Sequence, residues 1–333
     1  MTFLDEIRDQ PRRLRRLAED LGRRGHPLYA AAAALGPARP ALLTGMGSSL
    51  YACYPAYLRL AGRASLWPTD ELIHFGLRAL EADAQLVAVS QSGETAEILA
   101  LLDRIGPHRE VIAVTNVLES TLGRRAGIPL EIGAERSSYA SSQTYLNSVA
   151  LLAALAHRTA GEPLHPLLDE MRRAADALEV MLQQSFSRAG AVERSSHLVF
   201  LARGPSLASA RQAALMMHEV ASHGAVAMSS AAFRHGPLEM AGPALDAVVF
   251  EPYGPTAPLV ESLAAELELL GARVTRIADQ RLGRGDYRHA PVTEELAPLV
   301  NLAPVQAWAC RSAEQLGRQP GVFRQGEPVT RRE

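Results

Sequence analysis

The chain contains no lysine: all 34 basic residues among its 333 are arginine. That absence excludes any mechanism passing through a side-chain Schiff base, such as pyridoxal phosphate chemistry or a lysine-imine aldolase. Cysteine is nearly as scarce. Cys53 and Cys310 lie far apart in apolar helical contexts, so two reduced, buried thiols are expected in place of a disulfide or a metal site. No apolar run approaches the length of a membrane span, and Met1-Thr2-Phe3-Leu4-Asp5-Glu6 has neither the basic start nor the apolar core of a signal peptide. The expected location is the cytoplasm, with no membrane partner. A concentrated cationic face is missing too. Net charge is −2, and the one basic cluster, Arg12, Arg13, Arg15 and Arg16, reads as the solvated face of an early helix, so nucleic acid is not an expected partner.

What remains, 47% hydrophobic and 21% charged residues, describes an ordinary globular chain long enough for two domains. Its organising stretch is Leu86-Val87-Ala88-Val89-Ser90-Gln91-Ser92-Gly93-Glu94-Thr95-Ala96-Glu97-Ile98. The apolar run suits a buried parallel strand, and from Thr95 the spacing of Ile98, Leu99, Leu101, Leu102 and Ile105 becomes helical. A turn between a strand's carboxyl end and a helix's amino end offers unpaired N–H groups and the positive end of the helix dipole. Ser90, Ser92 and Thr95 add hydroxyls and Gln91 an amide, without the lysine of a P-loop, which favours a phosphomonoester over a nucleoside triphosphate. The same hydroxyls also cap helices in many α/β proteins, and composition leaves both readings open.

In chain order, residues 3–35 read as helices on which Ile7, Leu14, Leu17 and Leu21 share a face, punctuated by Pro11 and by Gly25-His26-Pro27. Strands are expected at Ala41–Gly45, Leu86–Val89, Val111–Asn116 and Leu130–Ile132. Met46–Ser49 is expected as a turn and Leu50–Leu60 as a helix; a closing helix follows at Ser141–Ala156 and a long amphipathic one around Leu167–Gln184. The pattern then restarts, with strands at His197–Ala202, Ala247–Phe250 and Arg273–Ile277, a turn at Arg203–Ser206, a helix at Leu207–Ala221 and a closing helix at Val300–Leu316. Gly47 and Gly204, Leu86 and Ala247, and Val111 and Val274 stand 157, 161 and 163 positions apart. The near-constant offset predicts a duplicated α/β domain, each copy an open, mainly parallel sheet with helices on both faces. Only the first copy has the hydroxyl-rich turn. The second has Glu251-Pro252-Tyr253-Gly254-Pro255 there, so one phosphate site per chain is expected. The predicted layout is a helical arm (1–36), a first domain (37–165), a linker helix (166–192), a second domain (193–318) and a tail (319–333).

Gly45–Ser49, Ser90–Thr95, Ala140–Tyr145, Arg203-Gly204 and Arg234-His235-Gly236-Pro237-Leu238 resemble, in order, the motifs of the tandem sugar-isomerase (SIS) domain family. That family includes the isomerase half of glucosamine-6-phosphate synthase and stand-alone phosphosugar isomerases and deaminases. Glu6–Pro11 and Pro304-Val305-Gln306 are similar to the first and last helices of that half. Met1 is followed by Thr2, not by the synthase's nucleophilic cysteine, so no release of ammonia from glutamine is expected. The resemblance implies that Ser90, Gln91, Ser92 and Thr95 hold a sugar phosphate, with Ser48, Ser49 and Ser141 on phosphate or hydroxyls. It implies that Glu219 moves a proton between C1 and C2, work that needs a carboxylate beside a carbonyl or imine. His235 would open the sugar ring in a neighbouring subunit, which implies a homodimer; histidine suits because it carries a proton near neutral pH. No cofactor is implied. His218 and His223 lie near Glu219 but have no third ligand, so no metal is assigned.

Departures from the family pattern fall at its lysines: Met216, Gln143, and Gln325 or Glu327 in the tail stand where relatives carry Lys, and Ala232 replaces a glutamate. Gln319–Gln325 still resembles the strap that closes over the sugar, and Arg324 offers charge without forming an imine. Three readings follow: isomerisation or deamination of a hexose- or aminohexose-6-phosphate, cleavage of a fructosamine phosphate, and a non-catalytic phosphosugar sensor. The absence of a preceding DNA-binding helix-turn-helix weakens a transcriptional version of the last.

Overall fold

The computed structural model of the chain describes residues 2–76, 78–79, 83–135, 139–190, 197–327 and 329–331. These form two compact units. One comprises Arg13–Arg136, Ser141–Met171 and Gln325–Glu333, the other Met1–Arg12, Ser137–Ala140 and Arg172–Arg324. The expected boundary at 192/193 lies outside the described residues.

The first unit holds a five-stranded sheet of β1 (Ala41–Gly45), β2 (Ala64–Pro68), β3 (Gln85–Val89), β4 (Val111–Thr115) and β5 (Ile128–Glu131), in the order β2-β1-β3-β4-β5. Every pairing is parallel, with Gly45 opposite Val89. β1, β3 and β4 are buried along their whole length, which is why they read as unbroken apolar runs. The connections are α3 (Gly47–Arg59) between β1 and β2, α4 (Thr69–Phe75) after β2, α5 (Ala96–Ile105) between β3 and β4, and α6 (Thr121–Arg125) between β4 and β5; α7 (Gln143–Thr159) packs along α3. Leu42, Leu72, Leu86, Ile98, Leu101 and Val111 form its core, each worth roughly 1.5–3 kcal/mol of burial. With β1 and β3 adjacent and the chain diverging to either side, the crevice beyond their carboxyl ends is the topological switch point.

The second unit repeats the pattern with β6 (His197–Ala202), β7 (Ala225–Ser229), β8 (Leu245–Glu251), β9 (Arg273–Asp279) and β10 (Tyr287–His289), ordered β10-β9-β8-β6-β7 and again all parallel. Around it lie α9 (Leu207–Glu219), α10 (Ser230–Phe233), α11 (Ala257–Leu269) and α12 (Ala303–Gln315), numbered after the long α8 (Leu164–Arg188). Val199, Leu201, Phe233, Val249, Val260 and Leu263 fill its core. The chain is therefore α/β, with two parallel sheets flanked by helices.

Three expectations need correction. Pro11 does not break α1 (Phe3–Leu21). It has no N–H for the Ile7 carbonyl, and Gln10 Nε2 donates to that oxygen at 3.0 Å in its place. α2 (Pro27–Leu35) does begin at the predicted Gly25-His26-Pro27, with His26 Nδ1 accepting from Leu28 N. Arg13 is not solvated: it is buried and paired with Glu135, because α1 turns that side inward, while Arg12 and Arg16 remain exposed. The turn expected at Met46–Ser49 is already helical from Gly47, so Ser48 and Ser49 lie in the first turn of α3. Cys53 and Cys310 are free and buried as predicted, and burial pushes the Cys310 thiol up to about 12. Among the described residues no helix is long and apolar enough to cross a membrane.

Candidate active site

The β1/β3 crevice gathers Ser48, Ser49, Ser90, Gln91, Ser92 and Thr95. Gly93 has φ of +66°, and a Cβ there would collide with Ser120 Oγ, so the turn can be this tight only with glycine. The tightness places backbone on hydroxyl: Gly93 N donates to Ser90 Oγ at 3.1 Å and Glu94 N to Ser92 Oγ at 3.2 Å. Each serine oxygen is thereby fixed as an acceptor, leaving its O–H to donate elsewhere. Gln91 Nε2 and Thr95 Oγ1 are buried and have no hydrogen-bond partner among the described residues. Thr95 holds the N-cap position of α5 but makes no side-chain cap bond, so capping does not account for its hydroxyl. Buried donors left open at a helix amino end are what an oxyanion completes.

Glu94 has a different task. Its carboxylate accepts from Thr121 N and Thr121 Oγ1 at 2.5 and 3.0 Å, bracing the loop against α6. Ser141, just before α7, shares a 2.6 Å hydrogen bond with Thr144 Oγ1. Gln143 is buried with Oε1 accepting from Glu135 N at 3.1 Å. The tail meets this unit where the Thr330 carbonyl accepts from Ala96 N at 3.0 Å, at the start of α5. Glu97, not singled out from the sequence, is buried in the first turn of α5, with Oε2 unpartnered among the described residues; its only signal is a carboxylate beside the hydroxyl turn.

The second unit carries Glu219 and His235. Glu219 ends α9, half-buried, with no hydrogen bond or ion pair to its carboxylate among the described residues. Burial pushes its carboxyl up to about 7. An unfolded glutamate ionises near 4.5 while the folded one stays protonated to about 7. Stability contributed by this group is therefore full below pH 4.5 and lost as pH rises through 7. Glu219→Gln is expected to melt progressively higher than the parent between pH 5 and pH 8; parallel melting curves across that range would contradict the burial effect. Met216, buried one turn earlier, can carry no proton. Ser222, three residues on, takes a left-handed φ of 49°, uncommon outside glycine.

His235 follows α10 on a turn made by Gly236, with φ of +115°, and by Pro237, which opens a short 3-10 segment. The imidazole is exposed on that turn. His218 and His223 are engaged locally: His218 Nε2 lies 2.8 Å from the Ala225 carbonyl and His223 Nδ1 2.8 Å from that of Gly224.

The fold is found across solved phosphosugar enzymes. Glucosamine-6-phosphate deaminase from Thermotoga maritima aligns with a TM-score of 0.79 over 99% of both chains at 20% identity. Tagatose-6-phosphate ketose/aldose isomerase from Escherichia coli gives 0.79 over 96% of this chain and 95% of that one, also at 20% identity. This chain has the phosphosugar-isomerase fold. In sequence, it is 30% identical over 293 residues to a Thermus thermophilus glutamine–fructose-6-phosphate aminotransferase (isomerizing), covering 82% of this chain and 48% of that protein. The Thermococcus kodakarensis protein of the same name is 27% identical over 299 residues, 84% of this chain and 50% of the relative. The chain spans about half the length of the curated relatives it matches. No protein-family model matches it. On the phosphosugar-isomerase fold, the hydroxyl-rich turn occupies the β1/β3 switch point, where ligands of open α/β sheets bind.

Proposed function

We propose that the chain isomerises or deaminates a hexose- or aminohexose-6-phosphate, by ring opening and proton transfer between C1 and C2. The observation that carries this reading is the Glu219 carboxyl: half-buried, unpartnered and held at about 7, it is poised to take a proton from one carbon and return it to the next. The electron pair released at C2 becomes the enediol or enolamine double bond, and reprotonation at C1 gives the ketose or the C2 ketimine without net oxidation. For an amino sugar, water then adds to the C2 imine and ammonia leaves. Ser90, Gln91, Ser92 and Thr95 hold the phosphate, with Ser48, Ser49 and Ser141 on phosphate or hydroxyls. His235, exposed on its glycine–proline turn, opens the ring in a neighbouring subunit of a homodimer. The tandem SIS organisation belongs to this proposal, as does the absence of any cofactor.

Ketose formation and ammonia release, measured across a panel of hexose-6-phosphates, glucosamine-6-phosphate and fructosamine-6-phosphate, test it. Turnover of at least one is expected: ammonia from glucosamine-6-phosphate marks a deaminase, amine release from a fructosamine phosphate a deglycase, and ketose alone an isomerase. A phosphosugar sensor is the second reading, favoured by Met216 and Gln143 being buried and structural where relatives carry lysine. Sugar phosphates that raise the melting temperature without any turnover would select the sensor.

A further inference from the structure

The two units repeat their turns as well as their strands. Gly47 and Gly204 open the first crossover in each with φ of +48° and +54°. Beyond the next central strand, Ser90, Gly93 and Thr95 correspond to Glu251, Gly254 and Thr256, every pair 161 positions apart. Thr95 and Thr256 hold the N-cap positions of α5 and α11, and neither caps its helix with its side chain. The crevice beyond β6 and β8 is thus the counterpart of the β1/β3 crevice.

The counterparts differ in what their hydroxyl meets. Among the described residues Thr95 Oγ1 has no partner, whereas Thr256 Oγ1 donates to Glu294 Oε1 at 3.0 Å. A Cβ on Gly254 would collide with Glu294 Oε2, and one on Gly204 would stand 3.3 Å from Glu294 Oε1. One carboxylate is therefore seated against both glycine turns and the threonine together. It is delivered by a 3-10 segment, Glu294–Leu299, anchored by buried Leu296, Ala297 and Leu299. Glu251, in the place of Ser90, is fully buried and neutralised by Arg276 Nη1 at 3.1 Å and Arg284 Nε at 3.0 Å. The charge of Glu251 is accounted for within the protein, and the anion at the helix amino end is Glu294.

We propose that the β6/β8 crevice is a second oxyanion site of the phosphomonoester class, closed by the chain's own Glu294 carboxylate. Glu294 acts as an internal plug. Two carboxylate oxygens at Thr256 and the glycine turns stand in for phosphate oxygens, which restricts the chain to one open cradle. Although the idea rests on the β1/β3 turn taking a phosphate, the test reads a difference between variant and parent, so the two can fail separately.

The test is titration of the full chain with inorganic phosphate, followed by calorimetry and by phosphorus NMR, for the parent, Glu294→Ala and Glu294→Ala/Thr256→Val. The expected result is one more bound phosphate per chain in Glu294→Ala than in the parent, lost again in the double variant. A folded Glu294→Ala with the parent's stoichiometry would overturn the plug. Should that variant fold poorly, phosphate must raise its melting temperature more than it raises the parent's, and an equal rise overturns the proposal as well. A parent that binds no phosphate while the variant binds one sinks the β1/β3 cradle and upholds the plug.

Discussion

Replacing Glu219 with glutamine is expected to lower kcat/KM for the sugar phosphate by about 10²–10⁴-fold, the usual contribution of a positioned acid–base group. That is about 3–5 kcal/mol in the barrier. Glutamine keeps the shape of the side chain and removes only its proton chemistry, so the ligand-induced rise in melting temperature should survive. Because burial holds the carboxyl at about 7, the parent's rate in the aldose-to-ketose direction should rise with pH through that value as the base ionises. The rise should disappear from whatever activity the variant retains. A fall of less than threefold, with the pH profile intact, would remove Glu219 from the chemistry and leave it a half-buried residue at a helix end.

Thr95→Val is expected to weaken binding of the sugar phosphate by about 10- to 100-fold while leaving the melting temperature of the free protein unchanged or slightly higher. The first number follows from losing one hydrogen bond to a charged group, about 1.5–3 kcal/mol. The second follows from the structure: Thr95 Oγ1 has no partner among the described residues, so removing it breaks no hydrogen bond there. If the hydroxyl were a helix cap, the variant would instead lose about 1 kcal/mol of stability and keep its affinity. Ser90→Ala makes the contrasting case. It should cost both, since Ser90 Oγ also accepts the Gly93 N–H that folds the turn. Calorimetric Kd values beside thermal melts separate the two.

The parts of this molecule legible in its sequence are those set by local pattern. β1, β3, β4, β6 and β8 are central or nearly so, buried on both faces, and announce themselves as continuous apolar runs. The strands that escaped notice are β2, β7 and β10. Each lies at a sheet edge, where Ala64–Pro68 and Ala225–Ser229 are only half-buried and Tyr287–His289 is three residues long. An edge strand pairs on one side alone and needs no apolar run to hold it. The burial of Arg13 escapes the sequence for a related reason, because an arginine between the exposed Arg12 and Arg16 gives no sign that its partner, Glu135, lies over a hundred residues away.

The hydroxyl turn was legible because its chemistry and its position coincide in one stretch. Its counterpart was half legible. The 161-residue offset sets Glu251–Pro255 against the hydroxyl turn, but Glu294 comes from a segment 38 residues beyond Thr256, and only the fold brings its carboxylate to that threonine. Partial burial of Glu219 was legible in its flanking Met217, Val220 and Ala221, whereas its extent at a helix end is decided by what packs over the side chain.

The most direct test of the central claim is proton NMR of the parent protein with fructose-6-phosphate and glucosamine-6-phosphate in D₂O. Transfer between C1 and C2 through Glu219 predicts loss of the C1 or C2 proton signal as solvent deuterium enters, and no such loss with Glu219→Gln. A sugar phosphate that binds, shifts the melting temperature, and keeps both protons indefinitely would contradict it.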